Sequence, residues 1–204
     1  MDPKEHWQHI YQANQSEEVS WYQARPAISL QFLEELQISK EASIIDIGGG
    51  DSTFADHLHE KGYKDITVLD ISPLALDKAK QRLGEKAGMI KWITADITRF
   101  NGDRKYDLWH DRAVLHFLTK EKEVEDYFRV ASKSVKEEGK IILGTFSVNG
   151  PEKCSGLPVQ RYSQESITAK ARKFFQKIKC INTAHFTPGN IIQQFIFCSF
   201  LKAN

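Results

Sequence analysis

Three aspartates stand among or just after short apolar runs: Asp46 among Ile44, Ile45 and Ile47, Asp70 after Ile66, Val68 and Leu69, and Asp96 after Trp92 and Ile93. Asp46 leads into three consecutive glycines, Gly48, Gly49 and Gly50, and an apolar helical pattern opens at Thr53. A carboxylate accepts from both hydroxyls of a ribose diol, and Asp70 falls 24 positions after Asp46, near the spacing at which a strand-end acid reaches one. Asp96 can accept from an exocyclic amine such as adenine N6, with the backbone N–H of Ile97 offered to a ring nitrogen. A fourth polar cluster follows Trp109: His110, Asp111, Arg112 and, a helical turn on, His116. These groups can take a proton from a nucleophile that arrives protonated. His110 and Asp111 rank first for that role, since His116 packs as readily beside Phe117. Arg112 suits a substrate carboxylate or an internal ion pair with Asp111 or a nearby acid.

The elements that must carry these residues follow from periodicity. Apolar spacing predicts helices over 4–13, 26–36, 53–61, 73–83, 120–136 and 163–173. Strand patterns cover 44–47, 66–69, 89–93, 106–109 and 141–143, and two longer ones, 174–184 and 191–201, are joined at Pro188, Gly189 and Asn190 as an antiparallel hairpin. A buried strand ending in glycines before a helix cradles a nucleotide-like ligand, and ligands of open α/β sheets lie beyond the carboxyl ends of the strands. The aspartates and the His110–His116 cluster converge there. The Gly/Pro-rich segment 147–162 is a candidate substrate lid, and Trp21 and Tyr22 are candidates to cover a ligand from above. Thr53 stands where the third glycine of G-x-G-x-x-G belongs, and Asp46 where a nicotinamide-binding turn keeps a small apolar residue. A nicotinamide-dependent oxidoreductase is therefore the disfavoured alternative.

Composition sets the frame. The 204 residues fit one domain, 1–204, and 28 Lys+Arg against 27 Asp+Glu leave a net charge of +1, which gives no reason to expect nucleic acid. No apolar run approaches a membrane span and no targeting segment is read at the start, so the expectation is a cytoplasmic protein with no membrane partner. The cysteines, Cys154, Cys180 and Cys198, are dispersed and odd in number, which fits reduced thiols, with Cys180 and Cys198 in the core. Cys154, His110, His116 and His185 have no ligand spacing, so no metal is assigned. The oligomeric state is not read from the sequence.

The turn made by Asp46, Gly48, Gly50 and Ser52 resembles the first motif of Rossmann-like S-adenosylmethionine-dependent methyltransferases. The order of elements is similar to that class: an α/β, three-layer Rossmann-like sandwich on a mostly parallel seven-stranded sheet with an antiparallel last strand. Among its members, the lysine methyltransferases of elongation factor 1A or citrate synthase look closest, through Trp7 and Tyr11, Trp21 and Tyr22, the Gly62, Tyr63, Lys64, Asp65, Ile66 turn, and Asp70, Ile71, Ser72. By this resemblance Gly48, Gly49 and Gly50 admit the methionine moiety, Asp46 orients its amino group, Asp70 and Ile71 hold the ribose, and Asp96 and Ile97 the adenine. Trp21 and Tyr22 border the methyl group, His110 adds a cofactor contact, and the helices of 1–38 cover the cofactor. Two departures concern the acceptor. Asp111, Arg112, Ala113 and Val114 replace that group's Asp-Lys-Gly-Thr, and the Cys154–Pro158 stretch has no counterpart there. The acceptor stays open between a protein lysine and a small molecule. An Asn/Asp-Pro-Pro-aromatic element is missing, which argues against DNA or glutamine. A non-catalytic, cofactor-binding partner protein is the alternative from another class.

Overall fold

The computed structural model describes residues 2–203. Its elements run α1 (Pro3–Ala13), α2 (Ala27–Glu35), β1 (Ser43–Ile47), α3 (Phe54–Glu60), β2 (Asp65–Asp70), α4 (Pro73–Leu83), β3 (Ile90–Thr94) and β4 (Tyr106–Arg112). There follow α5 (Glu121–Ser134), β5 (Val135–Phe146), the short pair β6 (Lys153–Cys154) and β7 (Leu157–Pro158), α6 (Gln164–Ala171), β8 (Phe175–Phe186) and β9 (Ile192–Lys202). Seven strands form one sheet in the order β3-β2-β1-β4-β5-β9-β8, parallel except for β9, which runs antiparallel to both neighbours. The expected sheet is present.

The central strands β1, β2 and β4 and the second half of β5 are buried on both faces, so their alternate residues feed two separate cores. Ile44, Ile66, Leu108 and Ile142 pack with Leu33 of α2 and Phe54 of α3. Ile45, Leu69, Trp109 and Ile141 pack with Tyr127 of α5 and Ile167 of α6. Helices on both faces of one sheet make the three layers. Serine caps open two of the helices: Ser72 Oγ accepts from Ala75 N at 3.2 Å at the start of α4, and Ser163 Oγ accepts from Ser166 N at 3.2 Å at the start of α6. α1 is tied down by Gln8, whose Oε1 accepts from Leu74 N at 3.1 Å. No helix among the described residues is long and apolar enough to cross a membrane.

Three local expectations are corrected. β4 continues to Arg112 instead of ending at Trp109, so the polar cluster begins inside the sheet. β5 starts at Val135 directly after α5, and the expected break near Gly139 is an irregularity within the strand, with Glu138 at φ 60°. Cys180 and Cys198 are not reduced thiols: they sit opposite each other on β8 and β9 and form a disulfide, with Cα atoms 4.1 Å apart. Cys154 is the free, buried cysteine among the described residues.

Candidate active site

The glycine turn is shaped by what lies against it. Gly48 has φ 60°, and a side chain there would collide with Val114 Cγ2; a Cβ on Gly49 would meet Asp46 Oδ2 at 2.6 Å. Neither position admits another residue without displacing its neighbour. Asp46 points to the face of the sheet covered by α2 and α3, where the Nδ1–H of His110 donates to its Oδ1 at 2.7 Å. A carboxylate only accepts, so Nδ1 carries the proton, and in the neutral ring Nε2 then accepts from Ser29 Oγ at 2.8 Å. His110 also lies against the Phe54 ring, centroids 4.0 Å apart.

A cavity of about 360 Å³ opens over the strand ends. Gly48, Asp70, Ile71, Asp96 and Ile97 line one part of it, and Trp7, Tyr11, Trp21 and Phe117 cover it from α1, the following segment and the turn after β4. Trp7 meets Trp21 edge-on at 5.9 Å and Phe117 at 4.9 Å. Asp70 is buried, accepts from Ser72 N at 2.8 Å, and has its pKa raised to about 7, chiefly because burial penalises the charged form. A donor pair brought by a ligand would repay that penalty, so this carboxylate fits a ribose diol. Asp96 spends Oδ1 on Thr98 N and Oγ1, at 2.9 and 2.7 Å, and its side chain is 37% exposed.

Alternation along β4 divides the polar cluster. Asp111 faces α5, where its carboxylate accepts from Tyr127 OH at 2.6 Å, Val114 N at 2.8 Å and Leu115 N at 3.2 Å. That arrangement fixes the turn after β4 and leaves Asp111 away from the cavity. Arg112 faces the cavity, with Nη1 donating to Trp21 O at 2.8 Å and the guanidinium 5.2 Å from the Phe195 ring centre. Burial holds its pKa down to about 10. Ala113 turns the chain with φ 81°, and His116 then enters the cavity wall, fully buried and stacked on Phe146 at 4.3 Å. Burial first, and Arg112 second, push the His116 pKa down to about 3.

The sequence-predicted residues therefore separate. Asp70, Ile71, Asp96, Ile97, Trp21, Gly48 and His116 line the main cavity. Asp46, Gly49, Tyr22 and His110 border a smaller one of about 40 Å³ beside the glycine turn, and Gly50 lies against Tyr11 and Asp70. Cys154 and Leu157 bring 147–162 to the main cavity wall. The reading missed Phe146, Gln193 and Phe195, which come from β5 and β9. Phe146 and Phe195 sit in apolar patterns that look like any core strand, and Gln193 is one of two adjacent glutamines with nothing to mark it.

Sheet order, strand-end acids and glycine turn define a class I methyltransferase fold. Residues 44–139 match the family model described as a methyltransferase domain. The chain is 33% identical over 105 residues to the malonyl-[acyl-carrier protein] O-methyltransferase of Anoxybacillus flavithermus, covering 51% of this chain and 39% of that protein. It is 25% identical over 185 residues to the eEF1A lysine and N-terminal methyltransferase of Mus musculus, covering 89% of this chain and 24% of that protein. The chain thus spans less than half the length of these curated relatives. The solved structure of the N-methyltransferase NodS from Bradyrhizobium japonicum WM9, in complex with S-adenosyl-L-homocysteine, has the same fold, with a TM-score of 0.73 at 17% identity and complete coverage of both chains.

Proposed function

We propose that this protein is an S-adenosylmethionine-dependent methyltransferase acting on a protein lysine or a small molecule. The observation that carries the reading is one cavity that joins the buried Asp70 and the strand-end Asp96 to Arg112 and His116. Asp70 and Ile71 would hold the ribose, Asp96 and Ile97 the adenine, and the Gly48 turn with Asp46 the methionine portion. The cofactor supplies a methyl group on a sulfonium, which is already a good leaving group.

What remains for the chain is alignment and exclusion of water. Trp7, Trp21 and Phe117 supply the dry cover, and residues 1–38 and 147–162 act as cofactor cover and acceptor lid within a single domain, 1–204. His116 stays neutral at working pH, and the neighbouring Arg112 opposes any imidazolium, so this site favours an acceptor that arrives with its lone pair free. Neither the nicotinamide reading nor the non-catalytic one has an observation in its favour. A cytoplasmic location belongs to the proposal and is tested by cell fractionation.

The functional test is transfer of label from methyl-labelled S-adenosylmethionine into size-fractionated cell lysate, with Asp70→Ala as the control. Label in the small-molecule or the protein fraction identifies the acceptor class. No transfer by a protein that binds the cofactor would establish the non-catalytic reading instead.

A further inference from the structure

Resting on that reading, we propose that Arg112 and His116 form a carboxylate-binding subsite, so that the methyl acceptor is a small organic acid. Arg112 Nη2 is sealed from solvent and has no hydrogen-bond partner, and the same holds for both ring nitrogens of His116. Both residues line the main cavity. The acids that could have neutralised the guanidinium are committed elsewhere: Asp111 faces α5 and holds Tyr127, and Asp46 holds His110. Among the described residues no carboxylate forms an ion pair with Arg112. Arg112 is half-buried and feels Asp46 only at a distance; a largely desolvated cation with no paired acid is costly, and an anion entering the cavity lowers that cost.

The shape of the subsite favours a carboxylate. Nη1 is fixed on the Trp21 carbonyl, which holds the planar guanidinium over Phe195 with Nη2 free, while His116 is held flat on Phe146. Phe146 and Phe195 meet edge-on, centroids 4.7 Å apart and planes 64° inclined, so the two polar groups back onto adjoining aromatic rings. The guanidinium and one imidazole N–H can donate to an oxyanion, and the adjoining aromatic rings suit the acid's apolar body. A lysine ammonium would meet a like charge here, which turns the choice of acceptor away from a protein lysine. Residues of β5, β9 and 147–162 build these walls, apart from those that carry Asp70 and Asp96.

The test is calorimetry with benzoate and benzamide, which share a ring and differ in charge. Each is titrated into the chain already loaded with S-adenosylhomocysteine. The expected result is benzoate binding about tenfold tighter than benzamide, a preference lost in Arg112→Gln and partly kept in Arg112→Lys, with S-adenosylhomocysteine affinity held within about threefold. Equal binding of the two probes, or binding of neither, overturns the subsite, and the wild-type comparison decides even where a variant fails to fold. Should Arg112→Gln instead weaken S-adenosylhomocysteine about tenfold and spare benzoate, the guanidinium serves the cofactor's own carboxylate and the proposal falls. A wild-type chain that does not bind S-adenosylhomocysteine fails at the loading step, and that failure belongs to the methyltransferase reading.

Discussion

His110 and Asp46 hold each other inside the molecule: Nδ1–H donates to Oδ1 at 2.7 Å, with side-chain exposures of only 2% and 3%. The histidine read from sequence as a base lies outside the main cavity and orients the first strand-end acid. His110→Ala leaves a buried carboxylate without its donor and opens a cavity beside Phe54. The expected loss is about 2–4 kcal/mol in urea unfolding, with weaker S-adenosylhomocysteine binding because Asp46 is no longer held. An unchanged unfolding midpoint would remove the positioning role.

Gly48 and Gly62 both have positive φ, 60° and 85°, but only Gly48 has a neighbour in the way of a side chain. Gly62→Ala is expected to cost about 1 kcal/mol for the backbone alone, with cofactor binding intact. Gly48→Ala adds the clash with Val114 and is expected to cost about 1–3 kcal/mol more and to abolish binding. Thermal unfolding and calorimetry of the two variants side by side separate the effects.

Much of the sheet was legible because parallel strands buried on both faces read as apolar runs, and Asp46, Asp70 and Asp96 interrupt or end those runs visibly. The reactive end was less so. Asp111 and Arg112 are adjacent in sequence, and only the extra length of β4 shows that alternation sends them to opposite faces. Phe146 and Phe195 reach the cavity through β9 pairing with β5 in a register that opposes those two residues, which no local pattern announces. The same kind of register makes Cys180 and Cys198 neighbours.

Asp70 gives the protein a pH dependence with a definite sign. Its folded pKa, about 7, lies above its usual 3.8, so the folded state binds the extra proton between those values. Its contribution to stability is fully present below the lower value and declines as pH rises through about 7. Under the proposed role for Asp70, ligand binding runs the other way, since ribose hydroxyls would donate to the ionised acid. S-adenosylhomocysteine affinity should rise through pH 7 and level off above it, while Asp70→Asn binds weakly at every pH with no such rise. Calorimetry from pH 6 to 8 reads both.

The Cys180–Cys198 bond closes a hairpin with a sequence separation of 18. Non-reducing peptide mapping should recover the cross-linked pair, and Cys180→Ser is expected to lower stability by about 2–4 kcal/mol. A wild-type chain whose urea midpoint is the same with and without reductant would show the link contributes nothing.

The central claim is that the cavity over the strand ends is built for S-adenosylmethionine, and direct titration tests it. Purified chain titrated with S-adenosylhomocysteine should show saturable one-to-one binding that weakens about tenfold or more in Asp70→Ala, and NAD should give no heat. Saturable NAD binding without any response to S-adenosylhomocysteine would contradict it.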